Sequence, residues 1–264
     1  MTYWTNKSIV ITGGSSGLGV HLARAFTNAN AQVTLVARNL ATLQQVQTEL
    51  GSNTRIVQAD VTDDASVEQL FQQLQSESID AWINTVGKSD RGKILDVSAD
   101  DFRELIDLNF LSAVRCSRLA VPRLLETKGH LVNIGSLAAK SASSFLGAYP
   151  ASKFPLAAYS QQLRLELGPE GLHVLLVCPG PIDRPDSGNR YDSASEGLPE
   201  SARKPGGGVR VKRLSPEKLA QSILLACERR KPELIMPAKA KVLFAISQVF
   251  PRLGDWIVRK KTSG

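Results

Sequence analysis

The chain has 264 residues, 42% of them hydrophobic and 22% charged, which is enough for one large core and excludes a disordered chain. No run of about 18 apolar residues is present, so a membrane-spanning helix is not expected. The net charge of +7 admits anionic partners, but the basic residues cluster only near residues 203–213 and at the C-terminus, with no nucleic-acid signature, so nucleic acid is not expected as a partner.

In chain order, Ser8–Thr12 is a β-rich run ending in glycines, and Gly17–Asn28 carries Leu18, Leu22, Ala25 and Phe26 at helical spacing. Strand and helix patterns then alternate: Val33–Val36, Leu40–Leu50, Thr54–Ala59, Ala65–Glu77 and Asp80–Asn84. A long helical stretch Ala99–Leu125, a strand Gly129–Ile134, a helix Tyr149–Leu167 and a strand Leu172–Cys178 follow. Residues 183–213 are rich in Pro, Gly, Ser and charge and read as a mobile loop that should cover a substrate. Ser215 as N-cap and Pro216 in the first turn open a helix to about Glu228, and Glu233–Met236 is a last short strand.

The C-terminal extension, 239–264, mixes Leu243, Phe244, Phe250 and Trp256 with a basic end, and Pro251 should split it into two short helices. Such a segment can close a substrate pocket, pack on a partner subunit or lie on an anionic membrane, and packing or pocket closure is the preferred reading. The chain runs from its first residues straight into a strand without signal-peptide organisation, so the cytoplasm is the expected location, with a peripheral membrane position left open.

Apolar strands alternating with helices predict a single α/β domain over residues 1–264, doubly wound, with a central parallel sheet covered by helices on both faces. Cys116, Cys178 and Cys227 are far apart and His21, His130 and His173 stand singly in the sequence. No metal-ligand spacing results, so no metal site is expected and these residues read as structural.

The first strand leads into Thr12-Gly13-Gly14-Ser15-Ser16-Gly17-Leu18-Gly19 and then a helix. Glycines allow positive φ and close approach of a phosphate, and the helix N-terminus attracts an anion. The spacing of Gly13, Gly17 and Gly19 resembles the TGxxxGxG loop of the short-chain dehydrogenase/reductase family. That resemblance implies a Rossmann-like domain and a nicotinamide dinucleotide. The second strand ends Ala37-Arg38-Asn39, without the acidic residue that holds a free ribose 2′-OH, and a guanidinium there suits a 2′-phosphate, so NADP(H) is the expected cofactor. Asp60, followed by Val61, ends the third strand, and Asn84 ends the fourth; both are expected on the ligand side. By resemblance Asp60 accepts from the adenine amino group, and Asn84 looks like the first residue of the family's NNAG segment. Thr85 and Val86 depart from that segment.

Tyr149 and Lys153 lie one helical turn apart. A phenol titrates near pH 10 and a neighbouring ammonium favours its charged form, which makes the pair a general acid/base. Thirteen residues upstream, Asn133-Ile134-Gly135-Ser136 resembles the segment that carries the family's catalytic serine. Asn109 resembles the helix asparagine that holds a water beside the lysine, and Pro179-Gly180-Pro181-Ile182 resembles the segment whose backbone contacts the nicotinamide carboxamide. Arg184 stands where the family has threonine.

The resemblance covers about residues 7–185 and implies an NADP-dependent oxidoreductase moving a hydride between nicotinamide and a carbonyl or secondary alcohol. Arg184, Arg190, Arg203, Lys204, Arg210, Lys212 and Arg213 suggest an anionic or carrier-bound substrate such as an acyl-carrier- or CoA-linked 3-oxoacyl thioester. Two alternatives stay open: a membrane-associated lipid ketone reductase, and a non-catalytic NADP(H)-binding sensor. The resemblance also implies a homodimer or homotetramer through the helices near Asp101–Leu125 and Tyr149–Leu167, where Phe110, Val114 and Leu156 fit either such contacts or burial on their own sheet.

Overall fold

The computed structural model describes residues 2–51, 53–74, 78–184, 195–204 and 212–262. Seven strands, β1 (Ser8–Thr12), β2 (Gln32–Ala37), β3 (Thr54–Gln58), β4 (Ala81–Asn84), β5 (His130–Ile134), β6 (His173–Pro179) and β7 (Glu233–Met236), form one sheet in the order β3-β2-β1-β4-β5-β6-β7. Every strand pair is parallel.

Alternate residues of a strand point to opposite faces, and both faces here are apolar. Ile9, Ile11, Ala81, Ile83, Val132, Leu175 and Val177 pack with α1 (Gly17–Asn28), α2 (Leu40–Leu50) and α8 (Pro216–Glu228). Val10, Trp82, Leu131 and Val174 pack on the other face with α3 (Asp64–Gln73) and α5 (Ser112–Glu126), where the Trp82 ring stacks on Phe71 at 4.9 Å. α6 (Tyr149–Leu167) also lies against that face, with Leu156 packed on Leu176 and Cys178.

The stretch Ala99–Leu125 is not one regular helix. α4 (Ala99–Ile106) passes through a wide π turn, Asp107–Leu111, into α5. Side-chain periodicity barely changes across one such turn, so the apolar pattern hides it, and π turns gather at functional sites. A 3-10 turn, Leu137–Ala139, follows β5, and the last strand leads into α9 (Ala240–Val249) and α10 (Pro251–Thr262), split at Pro251 as expected.

The expected loop 183–213 is in part structured. Residues 185–194 and 205–211, with Arg190 and Arg210, lie outside the described residues. The intervening residues include the short helix α7 (Glu200–Arg203), whose Ala202 is fully buried. Buried Arg91 holds this segment by donating from Nε to the Ala202 carbonyl at 2.7 Å and from Nη2 to that of Lys204 at 3.3 Å.

At the N-terminal end of the sheet, the structure corrects the reading of single histidines. His130 and His173 are register partners on β5 and β6, and with Cys227 they form a buried cluster. His173 Nε2 faces the Lys231 carbonyl at 2.9 Å, which only accepts, so this nitrogen carries the proton. His173 Nδ1 therefore accepts from His130 Nδ1 at 2.8 Å, and His130 Nε2 accepts from the Tyr3 hydroxyl at 2.8 Å. Every ring nitrogen is satisfied in the neutral state. Burial, with the neighbouring histidine and nearby cations, pulls His130 down to about 3, and burial pulls His173 down to about 4.

Candidate active site

The chain leaves β1 toward one edge and β4 toward the other, and in an open parallel sheet a ligand binds where strand order reverses, beyond the carboxyl ends of the strands. A cleft of about 930 Å³ lies there. It is lined at one end by Gly13, Ser15, Ser16, Gly17, Leu18 and Gly19, and along its length by Arg38, Asn39, Asp60, Val61, Ser136, Tyr149, Lys153, Pro179, Gly180 and Ile182. Asn84 is the sequence-predicted cofactor residue that does not reach it. Its side chain is buried, accepts from Trp82 Nε1 at 2.8 Å and donates to Asn133 Oδ1 at 2.9 Å, so it ties β4 to β5 beneath the site.

The glycine loop has the geometry of a phosphate cradle. Gly13 and Gly17 have φ of +69° and +53°, and a Cβ on Gly19 would strike the Gly13 carbonyl. Ser16 takes the N-cap position of α1 without capping it through its side chain, and the first turn of α1 holds no acidic residue. The amides of this helix end thus point to an anion rather than to a serine oxygen. Thr85, off the family pattern, donates its hydroxyl to the Thr12 carbonyl at 2.6 Å and so pins the loop to β4. The half-buried Arg184 guanidinium reaches the same place: its Nη2 lies 3.4 Å from where a Gly17 Cβ would be, and no carboxylate pairs with it among the described residues.

At the end of β2, Arg38 is exposed and its ion pair among the described residues is a long contact, 3.8 Å, with Asp60. Asn39 caps α2, accepting from the Thr42 amide at 3.1 Å, so a second helix N-terminus stands beside Arg38. Asp60 is held by Thr62, whose amide and hydroxyl donate to Oδ1 at 2.9 and 2.7 Å. Burial pulls its carboxyl up, but the Thr62 hydrogen bonds and the Arg38 and Arg115 guanidinium groups hold it below the usual range. Among the described residues the lining carries six cationic residues, Arg38, Lys88, Arg91, Lys153, Arg184 and Lys239, against Asp60 alone.

The four expected catalytic residues converge. Asn109, in the π turn and 1% exposed, accepts from the Lys88 amide at 2.7 Å and donates to the Lys88 carbonyl and to Ser152 Oγ, both at 2.8 Å. Ser152 is the neighbour of Lys153 on α6, so Asn109 joins α6 to the loop after β4. Lys153 is buried and donates to the Ile134 carbonyl at 3.1 Å, and burial pulls its ammonium down to about 8. Ser136 stands at the end of β5 and accepts from the Ala138 amide at 3.1 Å. Tyr149 opens α6, and the residue before it is fixed by its amide donating to Asp90 Oδ2 at 3.2 Å.

Sequence reasoning missed Gly87. A Cβ there would sit 2.8 Å from Asn109 Oδ1 and 3.0 Å from Lys153 Nζ, so a side chain at this position would crowd both groups where they now stand. Its place in Asn84-Thr85-Val86-Gly87 was visible, but not the close approach. Among the described basic loop residues only Arg184 lines the cleft; Arg203, Lys204 and Lys212 are exposed and Arg213 faces Asp183 at 3.5 Å.

The family profile described as short chain dehydrogenase matches residues 7–194. The chain belongs to the short-chain dehydrogenase family. It is similar to the uncharacterized oxidoreductase YxnA of Bacillus subtilis, with 31% identity over 97% of this chain and 72% of that protein. It is likewise similar to the ketoacyl reductase HetN of a Nostoc species, with 30% identity over 98% and 90%. A solved short-chain dehydrogenase from Streptomyces avermitilis superposes with a TM-score of 0.79 at 25% identity, over 98% of this dehydrogenase and 100% of that chain. A solved putative betaketoacyl-ACP reductase superposes with a TM-score of 0.72 at 27% identity, over 88% and 96%. The fold is the α/β, all-parallel sheet of this family, the chain is an oxidoreductase of it, and the family implies NAD(P)(H).

Proposed function

We propose that this chain reduces a carbonyl, or oxidises the matching secondary alcohol, with NADP(H), using Tyr149 as the proton donor or acceptor. The observation that carries this reading is one cleft with the glycine loop at one end and Asn109, Ser136, Tyr149 and Lys153 gathered beside it. Bound NADPH would supply the hydride. Ser136 donates a hydrogen bond to the carbonyl oxygen, and Tyr149 passes its hydroxyl proton to the same oxygen as charge develops there. The Lys153 ammonium would hold a ribose hydroxyl of the bound cofactor, and it stabilises negative charge left on the phenol oxygen. Asn109 holds the turn at Lys88 and, through Ser152, the start of α6 in register.

Arg38 beside the N-terminus of α2 supports a 2′-phosphate, because its contact with Asp60 is long and exposed and yields readily to a doubly charged group. Arg184 supports the diphosphate at the glycine loop. The far wall of the cleft, Leu146, Leu243, Phe244 and Val258, suits an apolar substrate, and the likeness to a ketoacyl reductase supports a 3-oxoacyl or lipid-like ketone, free or carrier-linked. The hairpin of α9 and α10 thus serves pocket closure. For a homo-oligomer, Leu156 is in the core and Phe110 packs edge-on to Tyr159, so the surface of α5 and α6 would use Leu111, Phe154 and Leu165, which are exposed. Turnover of a carbonyl and alcohol panel with NADPH and NADH in parallel tests the reading. Tyr149→Phe should abolish turnover while keeping cofactor binding, and a Tyr149→Phe protein with full turnover refutes it.

A further inference from the structure

The inner face of the α9–α10 hairpin is accounted for by Leu243, Phe244 and Val258 at the cleft. Its outer face is not. Val249, Phe250, Leu253 and Trp256, at and just after the bend between the two helices, are 67, 60, 46 and 53% exposed. Exposed apolar side chains are common singly, but four within eight residues, two of them aromatic, concentrate apolar surface at one bend in the way that marks a docking surface.

The charges around the patch select what docks there. Residues 239–262 hold six Lys/Arg and one acidic residue, Asp255. Exposed Arg252 lies within the patch, and the Lys260 ammonium stands 5.1 Å over the Trp256 ring. A second copy of the hairpin would set these like charges against each other, because a two-fold contact pairs a surface with itself. A surface that is apolar below and anionic above accommodates both parts, with tryptophan and long cationic side chains at the boundary. No helix among the described residues is long and apolar enough to cross a bilayer, so the hairpin lies on such a surface rather than through it. The two helices form one unit: Gly254 packs against Ser247, with Ser247 Cα 2.7 Å from where a Gly254 Cβ would be.

We propose that the outer face of the α9–α10 hairpin docks this protein on an anionic lipid surface, with Phe250, Leu253 and Trp256 entering the headgroup boundary and the neighbouring cations meeting the headgroups. The same hairpin walls the cleft, so docking brings the cleft toward apolar carbonyl compounds held in the lipid. The proposal does not rest on the proposed reaction, since it is read by binding and not by turnover.

The full chain is mixed with vesicles of phosphatidylcholine containing phosphatidylglycerol and with vesicles of phosphatidylcholine alone, then sedimented. Trp4 and Trp82 are buried in the core, so a blue shift in tryptophan emission reports on Trp256. The expected result is co-sedimentation and a blue shift with anionic vesicles at low salt, both reversed at about 0.5 M salt. Phe250→Ser with Trp256→Ser should lower vesicle partitioning about tenfold or more, and Arg252→Glu with Lys260→Glu should do the same without removing an apolar group. All four side chains are exposed, and an unchanged thermal midpoint shows that the variants fold. Recovery of the wild-type chain in the supernatant with anionic vesicles overturns the proposal. So does a concentration-dependent dimer, without vesicle binding, that Phe250→Ser with Trp256→Ser dissociates.

Discussion

Gly87→Ala is the substitution that should separate the site's geometry from its chemistry, because it adds one methyl group and removes none of the reacting side chains. The new Cβ would lie 2.8 Å from Asn109 Oδ1 and 3.0 Å from Lys153 Nζ. Ordinary contact requires each to retreat by about 0.5 Å. Asn109 cannot retreat freely, since three hydrogen bonds of 2.7–2.8 Å, to the Lys88 amide and carbonyl and to Ser152 Oγ, hold its amide. Stretching them costs about 1–3 kcal/mol at the usual net worth of such bonds, offset in part by the ~0.4–1 kcal/mol that Gly→Ala gains through the unfolded chain. The thermal midpoint should therefore fall by only a few degrees. Turnover is more sensitive: a misplacement approaching 1 Å costs up to about 100-fold, so kcat should fall about 10- to 100-fold. Steady-state kinetics with the substrate found in the carbonyl panel, beside a thermal melt, reads both. Asn109→Ala opens room for the methyl group, so the effects of Gly87→Ala and Asn109→Ala on kcat should combine to much less than their product. A Gly87→Ala enzyme with wild-type kcat, or a multiplicative double variant, refutes the reasoning.

Arg38→Ala should weaken NADPH about tenfold or more and leave NADH unchanged, whereas Arg184→Thr should weaken both alike; equilibrium binding followed by nicotinamide fluorescence checks the contrast. Lys153→Met should be inactive yet at least as stable as the wild type at pH 7, because it replaces a buried ammonium with an apolar chain; a lowered melting temperature counts against this. Wild-type turnover should decline above about pH 8, where that ammonium loses its proton. Stability should fall in acid through the buried histidine pair. Native values of about 3 and 4 lie below the ordinary histidine value of 6.5, so the unfolded chain binds more protons inside that window. The stabilisation is complete above about pH 6.5 and is lost toward pH 4 at roughly 1.4 kcal/mol per pH unit for each proton taken up. Melting temperatures that stay flat from pH 6.5 to 4 would rule out this source.

The fold was legible because its signals are local. The glycines after Ser8–Thr12, the cap at Ser215, and the largely apolar strands each state a turn, a helix start or a doubly covered strand within a few residues. The gathering of the candidate catalytic residues at one end of the sheet was legible for a different reason: their order along the chain resembles a family, and parallel strands bring their carboxyl ends to one edge. What was not legible depends on pairing across the sheet or on close packing. The polar end of β4 suggested that Asn84 faces the ligand, but its neighbours Trp82 and Asn133 claim it from inside. Leu243 and Val258 carry no sign of which face meets the cleft, because an amphipathic helix records that one side is covered and not by what.

The two ends of the sheet use the same kinds of polar residue to opposite effect. At the N-terminal end, Tyr3, His130, His173 and the Lys231 carbonyl form a chain in which each donor has one acceptor and the imidazoles are neutral. A metal ion there would have to displace the proton between the two imidazoles and ionise Cys227, whose thiol burial drives well above its ordinary range. At the C-terminal end two cationic groups lack a carboxylate partner among the described residues: Lys153 keeps an ammonium in the interior with the Ile134 carbonyl as acceptor, and Arg184 sits half-buried over a helix N-terminus that Ser16 does not cap. Holding several like charges around one cleft with too few counterions destabilises a folded chain unless an anion arrives. Binding of a polyphosphate ligand should therefore raise the melting temperature through this end alone. The gain should shrink in Arg184→Thr and Arg38→Ala and be untouched by Tyr3→Phe, which lowers stability with and without ligand by the same amount. If Tyr3→Phe also reduced the ligand-induced gain, the two ends would be coupled and this division of roles would fail.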